Sequence, residues 1–210
     1  MNEAAQPTTT LSDALDRLGI AGQVLGIRPL DRSFRVAGRA FTVRTAPTAV
    51  SGASVGDYID DVPAGEVVVL DNAGRLDGTV WGDLLTIAAH RRRLGGTVIH
   101  GVCRDSERSL ELGYPIFSRG VYMRTGRGRV QFDGLQVPVS VGEVRVEPGD
   151  LLVGDADGLV VIPRSREEEV LALAAEIAEM ETRIREEIEK GERLADARQR
   201  HRYFQLQSRG

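Results

Sequence analysis

Lysine is almost missing from this 210-residue chain. The single one, Lys190, lies in the charged segment REEIEKGER. A Schiff-base lysine needs a desolvated pocket that lowers its pKa, and a solvated helical segment does not provide one. No Gly-Lys-Ser/Thr occurs, which removes a P-loop. Histidine is scarce too: His90, His100 and His201 include no pair at zinc-ligand spacing. The G-x-S-x-G elbow of the serine hydrolases is missing. With one cysteine, Cys103, an internal disulfide is excluded. Positive charge is not in excess either. Against 27 Lys and Arg stand 31 Asp and Glu, a net charge of −4, which argues against a non-specific nucleic-acid binder. No apolar run approaches the length of a membrane span. The opening MNEAAQPTTT has neither the basic stretch nor the apolar core of a signal peptide, so a cytoplasmic protein without a membrane partner is expected. Any chemistry must therefore rest on carboxylates, arginines, backbone groups or a metal with oxygen ligands.

What is present reads as one α/β domain over residues 1–210. It has a core at about 11–163 and a helical C-terminal extension at about 165–199. TTTLSDALDRLGIAG starts on a threonine cap, repeats apolar residues at helical spacing and ends at Gly19. VAGRAFTVRTAP alternates as a strand. SVGDYIDDVP predicts a short helix, and Val67–Leu70 a buried strand. DGTVWGDLLTIAAHRRRLGG predicts a helix from about Gly82 to Leu94, ended by Gly95-Gly96, followed by a strand over Thr97–Cys103. The basic HRRRLGG fits a helix end. Strands this apolar, alternating with helices, argue for a parallel-rich sheet covered by helices. SLELGYPIFSRG then reads as a helix and a short strand. Short strands broken by Gly, Pro and Asp follow. From Ser165 to about Gln199, Val170, Leu173, Ile177, Met180 and Ile184 form one helical stripe. That stripe must be buried on the same chain or on a neighbour.

Two segments converge on a candidate site. WGDLL places Asp83 where a loop enters a helix, and CRD places Arg104 and Asp105 where the next strand exits. Twenty residues separate Asp83 from Arg104. One helix, a turn and one strand fill that interval and return the chain to the same edge of a parallel sheet. Two carboxylates without histidine or thiolate partners suit a hard cation, Mg²⁺ or Mn²⁺. The arginine offers a planar fork for a substrate carboxylate. The backbone N–H groups of Leu84 and Leu85, at the helix start, add an anion cradle. Such a set would hold an α-keto acid and stabilise its enolate. The same residues also describe a helix cap and a solvated ion pair. Residue type alone leaves both accounts open.

Several pieces in order resemble the RraA-like family, which includes the class II 4-hydroxy-4-methyl-2-oxoglutarate/4-carboxy-4-hydroxy-2-oxoadipate aldolases. They are LSDALDRLGI, RVAGRAFTVR, VVVLDNAG, WGDLL, GGTVIHGVCRD, YPIFSRG, VPVSVGEVRVEPGDLLVGDADGLVVIP and GERLADA, which span about Leu11 to Ala197. The resemblance implies a swivelling α/β/β/α sandwich that assembles as homotrimers or homohexamers with active sites at subunit interfaces. It implies that Asp105 ligates the metal directly and that Asp83 holds metal-bound water. Arg104 would bind the keto acid, and Leu84 and Leu85 would supply N–H groups. A glutamate would come from the neighbouring subunit's C-terminal segment, with Glu181 the best match and Glu179 the second. Many members carry an acid three positions after the Asp of Arg-Asp; here Arg108 stands there, with Glu107 one residue earlier. That one-residue shift turns a side chain about 100° around a helix.

The implied activity is a divalent-metal-dependent lyase that cleaves 4-hydroxy-2-oxo diacids to pyruvate and a keto acid and also decarboxylates oxaloacetate. The alternatives are a non-catalytic regulator of ribonuclease E, as RraA itself is, and a related keto-acid lyase of a specialised pathway. Fold alone does not separate them. Elsewhere, Cys103 and His100 should point to opposite faces of their strand, making Cys103 a core residue. His100 reads as a strand-end or partly buried residue. Asp71 and Asn72 fit either a pocket wall or a turn. GDADG lacks the later glutamate of a calcium loop and reads as a turn. Trp81 fits a lid or the core.

Overall fold

The computed structural model describes residues 6–48 and 56–203. Helix α1 spans Thr8–Arg17, followed by the short strands β1, Gln23–Val24, and β2, Arg28–Pro29. Strand β3, Val36–Pro47, is the long one, and β4 is Val67–Asp71. Helix α2, Asp83–Arg91, leads to β5, Gly96–Cys103; α3, Ser106–Leu112, leads to β6, Ile116–Val121. The later strands are β7, Val130–Leu135, β8, Val139–Val141, β9, Val144–Val146, β10, Leu151–Gly154, and β11, Leu159–Ile162. Helices α4, Glu167–Glu189, and α5, Leu194–Arg200, close the described chain.

Strands β3, β4, β5 and β6 are parallel neighbours, as the apolar strand–helix alternation requires. Strand β3 joins two layers. Its first part, Val36 to Arg39, pairs antiparallel with β10, and Ala40 to Arg44 pairs parallel with β4. Side-chain alternation then fills three cores. Val67, Val69, Val98 and Phe117 point inward to meet Leu152, Leu159 and Val161. Val68, Leu70, Ile99 and Ile116 point outward, against α2 and the Tyr58–Ile59 turn. On the far side, Leu151, Val153, Val160 and Ile162 pack under α1 and α4. The result is the expected α/β/β/α sandwich, with α2 and α3 in one outer layer and α1 and α4 in the other.

Four local expectations change. The region Tyr58–Asp61 forms a 3-10 turn, and residues 51–55 of the expected short helix lie outside the described residues. Helix α2 ends at Arg91, short of Leu94 and the Gly95-Gly96 pair, because Arg93 takes the left-handed conformation (φ 58°). Helix α1 is not capped by a threonine side chain. Its first N–H, of Thr8, donates to Asp155 Oδ2 at 2.9 Å, so the cap arrives from 147 residues away. The C-terminal extension is two helices. Gly191 adopts φ 95°, a left-handed conformation that glycine tolerates and that stops α4. Arg200 and His201 then hold α5 against α4 through Glu187, at 2.7 and 2.9 Å.

Candidate functional site

Trp81 fixes where α2 begins. Its ring is 2% exposed and stacks on Tyr114, with centroids 6.4 Å apart. Its indole Nε1 donates to Thr86 Oγ1 at 2.9 Å, and Thr86 Oγ1 donates to Gly82 O at 3.0 Å. Trp81 is therefore core. Backbone bonds lay this segment along the end of β5: Val80 N–H to Val102 O at 3.4 Å, and Arg104 N–H to Trp81 O at 3.0 Å. The interval between Asp83 and Arg104 thus closes on itself. The Asp83 N–H donates to Asp105 Oδ2 at 3.3 Å. The structure brings Asp83, Leu84, Arg104 and Asp105 to one edge, as the parallel αβ unit predicts.

Gly82 makes that approach feasible. Its backbone is extended (φ −150°, ψ −167°), so conformation does not demand glycine there. Space does: a Cβ at this position would lie 2.8 Å from Asp105 Oδ2 and 3.3 Å from Arg104 Nε. Asp105 itself is held left-handed, at φ 55° and ψ 39°. That conformation costs a non-glycine residue about 1–2 kcal/mol and is tolerated best by Asn and Asp. Strain of this kind concentrates at functional sites. The turn aims the Asp105 carboxylate back at α2, and Arg104 Nε sits 3.3 Å from the same Oδ2. Both side chains are 40% exposed, so the pair adds little to stability.

Asp83 is the first helical residue, and Gly82 holds the cap position. The Leu84 N–H donates to Asp83 Oδ1 at 2.8 Å, so an incoming anion would compete with Asp83 for it. The Leu84 side chain is exposed, whereas Leu85 packs on the outer core. Asp83 and Asp105 line an open depression of about 440 Å³ together with Ser106, Glu107, Arg108 and Glu111. Among the described residues no group of three or more His, Cys, Asp or Glu converges as a ready ligand cage. The donor set still fits a hard divalent cation that keeps most of its water, for which one or two carboxylates suffice. Glu181 is not brought to this edge within the chain. It lies on α4, which packs against α1 in the opposite outer layer. Glu179, on the same helix, is exposed and ion-paired with Arg183.

The remaining candidates have structural roles. Cys103 is buried among the outer core residues, and burial pushes its thiol pKa up. His100 faces the opposite side, where its Nδ1 lies 3.0 Å from Ser140 O and 3.3 Å from Asp71 Oδ1. Asp71 accepts the Ser140 and Ala73 N–H groups at 3.0 and 2.8 Å. Burial raises its pKa, but the His100 side chain and those two N–H groups outweigh burial and hold it below the usual carboxylate range. Buried Asn72 accepts from Thr45 and donates to Gly78 O. Of the two roles open to Asp71 and Asn72, the structure shows the turn. In GDADG the Asp155 carboxylate caps α1 and accepts the Asp157 N–H, so the segment is a hairpin turn. Sequence reasoning missed Gly82 and Glu111. Glu111 could have been found from its i, i+3 spacing to Arg108; Gly82 gave no signal beyond its place in WGDLL.

Comparison with known proteins bears on the family. DlpA of Legionella pneumophila is 41% identical over 198 residues, which is 93% of this chain. The chain spans only about a third of DlpA's length (32%). A Halalkalibacterium halodurans protein, provisionally named 4-hydroxy-4-methyl-2-oxoglutarate aldolase, is 37% identical over 80% of this chain and 78% of its own. A solved structure from Pseudomonas syringae, of an uncharacterized protein, superposes with a TM-score of 0.86 at 42% identity, covering 92% of this chain and 93% of that one. The Streptomyces coelicolor protein RraAS2, described as an unusual member of the RNase ES inhibitor RraA family, matches with a TM-score of 0.76. It is 31% identical and covers 83% of this chain and 88% of its own. Residues 8–161 match the RraA-like family, described as Aldolase/RraA, and the chain belongs to that family.

Proposed function

We propose that the protein is a divalent-metal-dependent lyase that cleaves 4-hydroxy-2-oxo diacids to pyruvate and a second keto acid, and that it also decarboxylates oxaloacetate. The observation that carries this reading is the convergence of Asp83, Arg104 and Asp105 over Gly82. The aldolase name of a relative at 37% identity supports it. Asp105 directly, and Asp83 through water, would hold Mg²⁺ or Mn²⁺. Such an ion supplies Lewis acidity at the substrate's keto oxygen, the electron sink that Lys190, on the exposed end of α4, does not offer.

The chain's own groups do the rest. Arg104 pairs with the carboxylate next to the keto group and holds the keto acid in place. The N–H groups of Leu84 and Leu85 add donors at the α2 start. In the retro-aldol step the C4 hydroxyl passes its proton to solvent water, the C3–C4 bond breaks, and C4 becomes a carbonyl. The electron pair moves into the pyruvate enolate, which takes up a proton at C3. Oxaloacetate reaches the same enolate by losing CO₂. In a homotrimer or homohexamer, Glu181 of a neighbouring copy would complete the site.

The likeness to RraAS2 favours a second reading, a non-catalytic regulator that binds ribonuclease E. Such a binder has no need of the Asp83, Arg104 and Asp105 arrangement. Pyruvate release from oxaloacetate separates the two. The lyase reading expects turnover with Mg²⁺, loss of turnover on exhaustive chelation, and a fall of at least about 100-fold in Asp105→Ala, because removing a direct ligand costs no less than losing one of the partners that orient it. Turnover that survives chelation defeats the metal role, and full activity in Asp105→Ala defeats the site.

A further inference from the structure

The depression beside Asp83 and Asp105 has an unusual charge problem. Four of its six lining residues are carboxylates, Asp83, Asp105, Glu107 and Glu111, and one is basic, Arg108. A keto acid with a second carboxylate would meet repulsion there unless a cation receives its far end. Resting on the lyase reading above, we propose that Arg108 is the specificity-determining residue for that distal carboxylate, and that Glu111 is the internal anion the substrate displaces.

Placement carries the argument. The Arg108 N–H donates to Asp105 O at 3.2 Å, which puts Arg108 one turn into α3. Residues three apart on a helix share a face, so Asp105, Arg108 and Glu111 border the depression in that order. Arg104 precedes Asp105 along the chain and Arg108 follows it. With Arg104 assigned to the keto-acid end, Arg108 is the one basic residue lining the depression that can receive the far end. Arg108 Nη1 pairs with Glu111 Oε2 at 2.7 Å, with the two side chains 47% and 60% exposed. An exposed pair at this spacing is weak and exchangeable. A substrate carboxylate brought in on an anchored keto-acid head would compete well against it. Anchoring also bears on the reaction. In a 4-hydroxy-2-oxo diacid the distal carboxylate stays on the departing keto acid, so holding it favours cleavage of the C3–C4 bond.

The test compares two ligands that share the keto-acid head. Binding of pyruvate and of 2-oxoglutarate is measured by calorimetry with Mg²⁺ present, for the full chain and for R108Q, R108K and E111Q. In R108Q the affinity for 2-oxoglutarate should fall about tenfold or more, the worth of one charge-assisted hydrogen bond. Pyruvate affinity should stay within about twofold of the parent. R108K should recover part of the loss, and E111Q should bind 2-oxoglutarate about twofold more tightly, as freeing an exposed ion pair predicts. Equal loss for both ligands in R108Q, no loss for either, or a parent chain that binds neither overturns the proposal. If the discrimination holds but no 4-hydroxy-2-oxo diacid is cleaved, the lyase reading fails while the assignment of Arg108 stands.

Discussion

Asp105 and Gly82 show how little room separates the two halves of the site. The carboxylate oxygen occupies the space that a side chain at position 82 would need, 2.8 Å from the ideal Cβ. Gly82→Ala should therefore displace Asp105 without disturbing the fold, because its extended backbone suits alanine. The expectation is a loss of metal affinity of about 10- to 100-fold, the range for a displaced supporting group. The melting temperature should stay within about 4 °C. Unchanged Mg²⁺ binding by calorimetry would show that Asp105 is not held by this contact. Asp71 makes a separate prediction. Its folded pKa lies below its unfolded value, so the unfolded chain binds more protons at acid pH. The stabilisation is present above the unfolded value of about 3.9 and is lost as pH falls through the folded value. In urea melts at a series of acid pH values, Asp71→Asn should be less stable at neutral pH and should lose less stability on acidification than the parent. Parallel curves for the two chains would contradict this assignment.

At the level of elements, the sequence made the parallel strands and their order along the chain legible, because Val67–Leu70 and Val98–Ile99 are apolar on both faces. It also predicted that Asp83 and Arg104 return to one edge, since a strand–helix–strand unit has that geometry. What it hid was tertiary. The α1 cap is Asp155, which no local pattern links to Thr8. Burial raises the Asp155 pKa, but the bonds from Thr8 and the Asp157 N–H outweigh it and leave it lowered. Asp155→Ala should cost about 1 kcal/mol of stability, as loss of a helix cap does. It should also raise amide exchange in the first turn of α1, and unchanged exchange at Leu11 would rule the cap out. The break at Gly191 lies beyond the apolar stripe, whose last member is Ile184, so the stripe itself does not carry the helical reading on to Gln199. The left-handed Arg93 was hidden by two glycines two residues on, the residues more commonly placed in that conformation.

For the whole molecule, the α/β/β/α arrangement places α2 and α3, with the candidate site, in one outer layer and α4, with Glu181, in the other. That separation could not be read from residue spacing, because it depends on β3 passing between two layers. Within the chain, the long C-terminal helix covers β10 and β11. The central claim is that Asp105, supported by Asp83, makes this edge a divalent-metal site. Mn²⁺ bound to the intact chain, followed by electron paramagnetic resonance, tests it most directly. The account predicts saturable binding of one Mn²⁺ per chain, displaced by Mg²⁺ and lost in Asp105→Asn with the fold retained. Binding of equal strength in Asp105→Asn would contradict it.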